Sequence, residues 1–265
     1  MLVAVDERDL AFVSHGPAQR RSFAAYWQSV HDRAIRALTT GEQVLLAPIV
    51  DFVYVRACAE AGLDPRSQAG FEAYAARAFP VSELWRFGGE SAEEMLVKMR
   101  REQDAWATMS RCRKVFGEAR SRFGPEAEMW AGDCSDRVLE ALVEEAASVV
   151  TTSSTDEGWL TLVARMGDVT LGAYTVSVDL GGDRQAVLPR DRERFNNLLG
   201  AALLVAASGV LTLMVGAEGR VQVWELSNQR LMPSARGELL LEPHEGGGAE
   251  SPVEFVPGVP LPQPV

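Results

Sequence analysis

Between Trp159 and Leu226 two residue periodicities alternate, and that alternation narrows the folds open to the chain more than any other feature. Trp159, Thr161, Val163 and Arg165 alternate with Leu160, Leu162, Ala164 and Met166, and Val169 to Val178 continues in β-branched and aromatic residues. Both stretches are expected strands. Met166-Gly167-Asp168-Val169 suits a hairpin turn, because Gly167 takes positive φ without strain and Asp168 can bond its own backbone. Gly181-Gly182-Asp183 ends the second strand. Pro189, Asp191 and Glu193 then mark a helix start, with acids at the positive end of the dipole, and the helix is expected from about Asp191 to Ala207. Phe195, Leu199 and Leu203 lie on one line of it and Leu198, Ala202 and Val205 on the next, the mark of a buried helix. No charge falls from Leu198 to Ala217, the length of a membrane span. Ser208-Gly209 breaks that run, however, and Val210 to Val215 is strand-like, so it reads as a core helix followed by a strand. Ala217-Glu218-Gly219-Arg220 turns the chain into a further strand through Val221, Val223 and Leu226.

The first 150 residues read as mainly helical. Leu2 to Val13 alternates weakly around Asp6, Glu7, Arg8 and Asp9, as a strand pair with a charged turn would. Pro17 suits the first turn of a helix carrying Phe23, Tyr26, Trp27, Val30, Ala34 and Leu38, with His31 beside that aromatic face. Thr40 and Gln43 have capping-box spacing, and the apolar run from Val44 to Val55 predicts a buried helix from near Pro48, closed by Gly62. Asp51 and Arg56 are the only charges between Val44 and Ala59 and are expected on its outer line. A short helix over Ser67 to Ala78 stops at Pro80, and Ser91 with Glu94 boxes the start of the longest helix. Met95, Met99, Trp106 and Met109 mark its core face; Arg100, Arg101, Arg111, Arg113, Arg120 and Arg122 mark a basic one. After Gly124-Pro125, Asp133 or Ser135 can cap a helix whose Val138, Leu139, Leu142, Val143, Ala146 and Val149 form an apolar stripe.

The polar segment Thr151 to Gly158 sets the expected boundary: a mainly α-helical part over 1–150 and an α+β part over 151–245. The class is α+β, with the N-terminal helical part packed on a C-terminal antiparallel sheet and a central buried helix between two hairpins. Beyond the turn at Ser227-Asn228, Glu238 to Leu241 is an expected edge strand. From 246 to 265 the Gly246-Gly247-Gly248 run and the prolines from Pro252 to Pro264 read as a disordered tail, in which Pro257, Pro260 and Pro262 have the spacing of a polyproline ligand. From Asp136 to Leu226 the order helix, hairpin, helix, hairpin resembles small α/β modules of the roadblock or profilin type. That resemblance rests on element order and implies a binding platform.

A net charge of −11 and 24 arginines against only Lys98 and Lys114 suggest a bacterial chain from a GC-rich genome that does not hold nucleic-acid phosphates. Cys58, Cys112 and Cys134 are odd in number and unpaired in spacing, and Met1 to Asp6 has neither a basic start nor an apolar run, so a reduced, cytoplasmic protein is expected. His244-Glu245 lacks the second histidine of a zinc-hydrolase helix, the glycines fall at strand turns rather than in a phosphate loop, and Glu93-Glu94 and Glu144-Glu145 point apart on their helices. By elimination the expectation is a non-catalytic protein-binding protein, regulatory or toxin-neutralising in the manner of an immunity protein. Its expected partner is another protein, a basic one being easiest to accommodate, or a second copy in a homo-oligomer; no nucleic acid, membrane, metal or cofactor is expected. The competing class is an enzyme or small-molecule sensor in which His31, Asp51, Arg56 and Asn196 converge on a pocket between the helical part and the sheet. Arg100, Arg101, Arg111 and Arg113 are the candidate interaction face.

Overall fold

The computed structural model describes residues 1–13, 22–77, 84–150, 157–179, 187, 189–215, 220–234 and 254–263. The sequence expectations at Pro17, Pro80, 151–156, Gly181-Gly182-Asp183, 217–219, Glu238 to Leu241, His244-Glu245, the glycine run, Pro252 and Pro264 lie outside the described residues. The chain is α+β and divides into two compact units, Met1–Ala107 and Thr108–Val265.

The first unit contains β1 (Leu2–Val3), α1 (Glu7–Val13), α2 (Phe23–Thr39), β2 (Leu45–Pro48), α3 (Asp51–Glu60), α4 (Gln68–Arg77), β3 (Trp85–Arg86) and the start of α5 (Ala92–Phe123). β1 runs parallel to β2, which pairs antiparallel with β3. The strand pair expected over Leu2 to Val13 is corrected: its charges open a helix. Asp6 Oδ1 accepts the Asp9 N–H at 2.8 Å and the Asp6 carbonyl accepts the Leu10 N–H, so Asp6 caps α1. The capping box at Thr40 and Gln43 is also corrected. Thr40 instead ends α2, its hydroxyl donating to the Ala37 carbonyl, and Leu45 to Pro48 form a strand before α3 begins at Asp51. Gly62, at φ +65°, follows α3 as expected. The box at Ser91 forms in both directions: Ser91 N–H donates to Glu94 Oε2 at 2.9 Å, and Glu94 N–H to Ser91 Oγ at 3.3 Å. Trp27, Val30, Ala34, Leu46, Phe87, Met95 and Met99 form one apolar cluster; Ile49, Tyr54, Cys58 and Tyr74 form a smaller one.

The second unit takes the rest of α5, α6 (Glu126–Val150), β4 (Glu157–Met166), β5 (Val169–Asp179), α7 (Pro189–Leu204), β6 (Ser208–Val215), β7 (Arg220–Ser227), β8 (Arg230–Pro233) and β9 (Glu254–Pro257). The division falls inside α5 rather than near residue 150, and α6 belongs with the sheet: its Val138, Leu139, Leu142 and Ala146 join the same core as Leu160, Leu162, Val176 and Leu213. α6 starts at Glu126 directly after Gly124-Pro125, so neither Asp133 nor Ser135 caps it; the Ser135 hydroxyl bonds back to the Gly132 carbonyl. Strand order is β5-β4-β6-β7-β8, which sets the two hairpins side by side with β4 and β6 adjacent. Gly167, at φ +60°, makes the first hairpin turn as expected. The buried helix is α7, whose Phe195, Leu198, Leu199, Ala201 and Ala202 are wholly inaccessible. Leu171 bulges from β5, since Thr170 pairs with Arg165 and Gly172 with Ala164. A Cβ at Gly172 would overlap the Thr108 side chain, so this glycine lets α5 approach β5.

The disordered tail expected over 246–265 is corrected for its described residues, 254–263. Glu254–Pro257 is a strand parallel to the first half of β7, and Leu261 is buried in the main core. Proline is tolerated there because β9 lies outside β7, where an absent N–H breaks no ladder between two strands.

Candidate functional site

Alternation along β4 sends Leu160, Leu162 and Ala164 to the helix-covered core and Trp159, Thr161 and Val163 to the other face of the sheet. Register then aligns three rows across that outer face: Ala173, Val163, Val210, Glu225 and Met232; Thr175, Thr161, Thr212, Val223 and Pro257; Ser177, Trp159, Met214, Val221 and Phe255. Within these rows Glu225 carries the only charge. A solvated antiparallel face normally alternates to polar and charged residues, so one charge across three rows is unusual in a chain of net charge −11. Val210, Val221 and Val223 are buried with Met214 and Phe255 against them. Toward β5 the face opens: Trp159, Thr161 and Val163 are half-buried, and Ala173, Thr175 and Ser177 are exposed. The hydroxyls of Thr161 and Thr175 lie 2.9 Å apart across the ladder.

Among the described residues β5 is also the terminal strand of the order, and no residue from Val169 to Val178 is charged. Edge strands ordinarily carry lysine, proline or an inward charge to block pairing with another chain. Here the bulge at Leu171, whose carbonyl accepts from Arg111 Nη1 at 3.5 Å, interrupts only the first third of the strand. Trp159, Thr161 and Val163 were visible in the sequence as one half of an alternating strand. The overlooked signal was that neither half of the alternation carries a charge from Gly158 to Ala164.

The four residues considered for a pocket are not gathered by either unit. His31, Asp51 and Arg56 belong to the first and Asn196 to the second. His31 Nε2 lies 3.0 Å from the Glu90 carbonyl, and its ring meets Phe87 edge-on, which is a packed histidine. Asp51 is exposed and accepts the Phe52 N–H; Arg56 is exposed and pairs with Glu60 one turn on. Asn196 Nδ2 donates to Asp136 Oδ1 at 2.6 Å, and Arg192 bonds the same oxygen and Glu140, tying α7 to α6.

The four arginines do not share one face. At 100° per residue Arg100 and Arg111 fall on nearly the same line of α5, with Arg101 and Arg113 well to either side. Arg100 Nε donates to the Val5 carbonyl, and Arg111 is held at Leu171; Arg101 and Arg113 are exposed.

Among the described residues the buried charged side chains are Asp9 and Arg194. Asp9 sits just past the carboxyl end of β1, and Gln103 Nε2 reaches both Asp9 Oδ2 and the Ile49 carbonyl beyond β2, each at 2.6 Å. Burial, then the charge of Asp6, pushes the Asp9 carboxyl above its ordinary range. Burial likewise raises Tyr54 to about 12 and lifts Tyr74 and Cys58. Arg194 lies against the Tyr174 ring, whose hydroxyl donates to Asp191 at 2.8 Å; burial raises Tyr174 to about 12. Cys112 is held up at about 12 by burial, which keeps it an unreactive thiol. No group of three potential metal ligands occurs among the described residues, and no described helix is long and apolar enough to cross a membrane. Compared with family models, curated proteins and solved structures, the chain matches none.

Proposed function

We propose that this chain is a non-catalytic protein-binding protein of the bacterial cytoplasm, a regulator or a neutralising partner of the immunity type, and that its partner docks on β4 and β5. The observation that carries the proposal is an outer face with Glu225 as the one charge in its three rows, running into an edge strand uncharged from Val169 to Val178. A partner strand added to β5 would gain main-chain hydrogen bonds, while Trp159, Val163 and Thr175 supply the side-chain contacts that select it. The acidic chain around this patch favours a basic or neutral partner and opposes phosphate backbones.

The test is capture from an extract of the host. The wild-type chain should retain a partner that a variant with Ala173→Lys and Thr175→Lys loses at least tenfold at unchanged melting temperature, because lysines on an edge strand block pairing without touching the core. Equal capture by the variant would refute the docking site. Micromolar binding of duplex DNA or single-stranded RNA near physiological salt, lost when the α5 arginines are changed to glutamine, would refute the protein-partner reading itself. A second reading, an enzyme or small-molecule sensor, rests on Asp9 and Gln103, since a buried carboxyl with a raised pKa beyond the ends of parallel strands is where open α/β sheets place ligands.

A further inference from the structure

The C-terminal segment occupies a built seat near the far edge of the second sheet from β5. One edge of β7 is divided between two strands: β9 pairs with Arg220 to Val223, and β8 with Trp224 to Ser227. Where they meet, the Val223 carbonyl accepts both the Ser234 N–H at 2.9 Å and the Gly258 N–H at 3.0 Å. Beyond Pro257 the ladder stops and side chains take over. Trp224 Nε1 donates to the Val259 carbonyl at 2.7 Å, and Gln263 Nε2 donates to the Leu231 carbonyl at 2.9 Å. Gly258 and Leu261 are buried, whereas Pro257, Pro260 and Pro262 are exposed. Inward groups three residues apart are the signature of polyproline geometry, which repeats every three residues. At Gly258 a Cβ would overlap the Trp224 ring, so the seat demands glycine there.

Strand addition to a sheet edge, an indole donating to a peptide carbonyl, and prolines placed where no N–H is needed together make a peptide-recognition site. We propose that the β7 edge with Trp224 and Leu231 is such a site, occupied in cis by residues 254–263 and open in trans to a partner protein's extended segment of the same chemistry. That segment pairs through four strand residues, lays a glycine on the indole, places a leucine three residues later and turns its prolines outward. The tethered segment competes at an effective concentration on the order of millimolar, so it acts as a gate that a better-fitting partner displaces. A second copy of this chain offers only an equal fit and loses that competition. This site is separate from the β4–β5 face, and neither proposal depends on the other.

The probe is a fluorescein-labelled synthetic peptide with the sequence of residues 253–265, titrated by anisotropy into the full chain, into Gly258→Val and into Leu261→Asp. Both substitutions weaken the cis segment and leave the seat intact. Each variant should therefore bind the peptide at least tenfold more tightly than the wild-type chain does, and a peptide carrying the Gly258→Val change should bind none of them. Circular dichroism checks that the variants fold. Equal or absent binding across the three chains would overturn the proposal. So would failure of both variants to fold, because the rest of the chain would then need the segment in order to fold and could not release it. A wild-type dimer in sedimentation at 100 μM concentration, on the order of a tenth of the tether's effective concentration, would overturn the choice of partner if Gly258→Val abolished it.

Discussion

The two units hold themselves together by different means. In the first, two-residue strands β1 and β3 leave little ladder, and long-range side-chain bonds to the backbone span the gaps: Tyr26 accepts the Ala4 N–H, Tyr54 donates to the Pro65 carbonyl, Arg100 reaches Val5, and Gln103 joins Asp9 to Ile49. In the second, β4 pairs along its length with both β5 and β6 over a large apolar cluster that includes α6 and α7. A unit of the first kind is sensitive to loss of one polar partner, because a buried donor or acceptor left unmatched costs the full desolvation penalty. A unit of the second kind resists polar changes at its surface and fails when charge enters its core.

The largest effect should follow Leu199→Asp. Leu199 is wholly inaccessible, and an unpaired carboxylate there costs more than about 5 kcal/mol, enough to unfold the second unit. A wild-type-like melting curve would show that α7 is not the centre of that core. Next comes deletion of everything after Glu245. Removing Leu261 from the core and the Val259 carbonyl from Trp224 should cost about 2–4 kcal/mol and roughly 5–15 °C in melting temperature, while the chain still folds. An unchanged melting temperature would return the tail to the passive role its prolines suggested.

In the first unit the matching change is Gln103→Ala. It takes the amide donor from the Ile49 carbonyl and leaves the Asp9 carboxyl with the longer bond from the Val5 N–H at 3.4 Å, and urea unfolding should report a loss of about 1–3 kcal/mol. A loss within error would mean that water replaces the amide at no cost. The smallest effect is one of pH. The raised pKa of Asp9 means the folded chain holds that proton more tightly than the unfolded chain, whose value is about 4. The penalty on the ionised form is absent below the unfolded value and grows as pH rises through the folded one. Melting temperatures of Asp9→Asn should therefore gain on the wild type between pH 4 and pH 7. A difference that stays flat or shrinks with pH would contradict the assignment.

The same contrast explains what could be read from the residues alone. Both hairpins, α7 and the stripe of α6 were legible because the local repeat of each element, about two residues in the strands and about 3.6 in the helices, is written in consecutive residues. β8 was missed because its turn, Asn228-Gln229, takes positive φ at two residues that are not glycine. β9 was missed because its pairing partner is some thirty residues away and its prolines argue locally for an open chain. In the first unit, Asp6 looked like part of a turn until its carboxylate was seen to cap α1, and Thr40 carried the spacing of a helix start while ending one. Asp9 and Gln103 carry no motif; they meet across 94 positions only because β1, β2 and α5 bring them together. The outer rows were legible residue by residue, but their shared neutrality appears only when register sets five strands side by side.

Amide hydrogen exchange along β5, resolved by residue in the full chain, tests the central claim that this edge is open to a partner. From Ala173 to Val178 alternate amides should be protected and unprotected, those bonded to β4 exchanging slowly with the core and those facing outward exchanging as surface groups do. Uniform protection along that stretch would mean the edge is already covered, and the docking site proposed on it would be wrong.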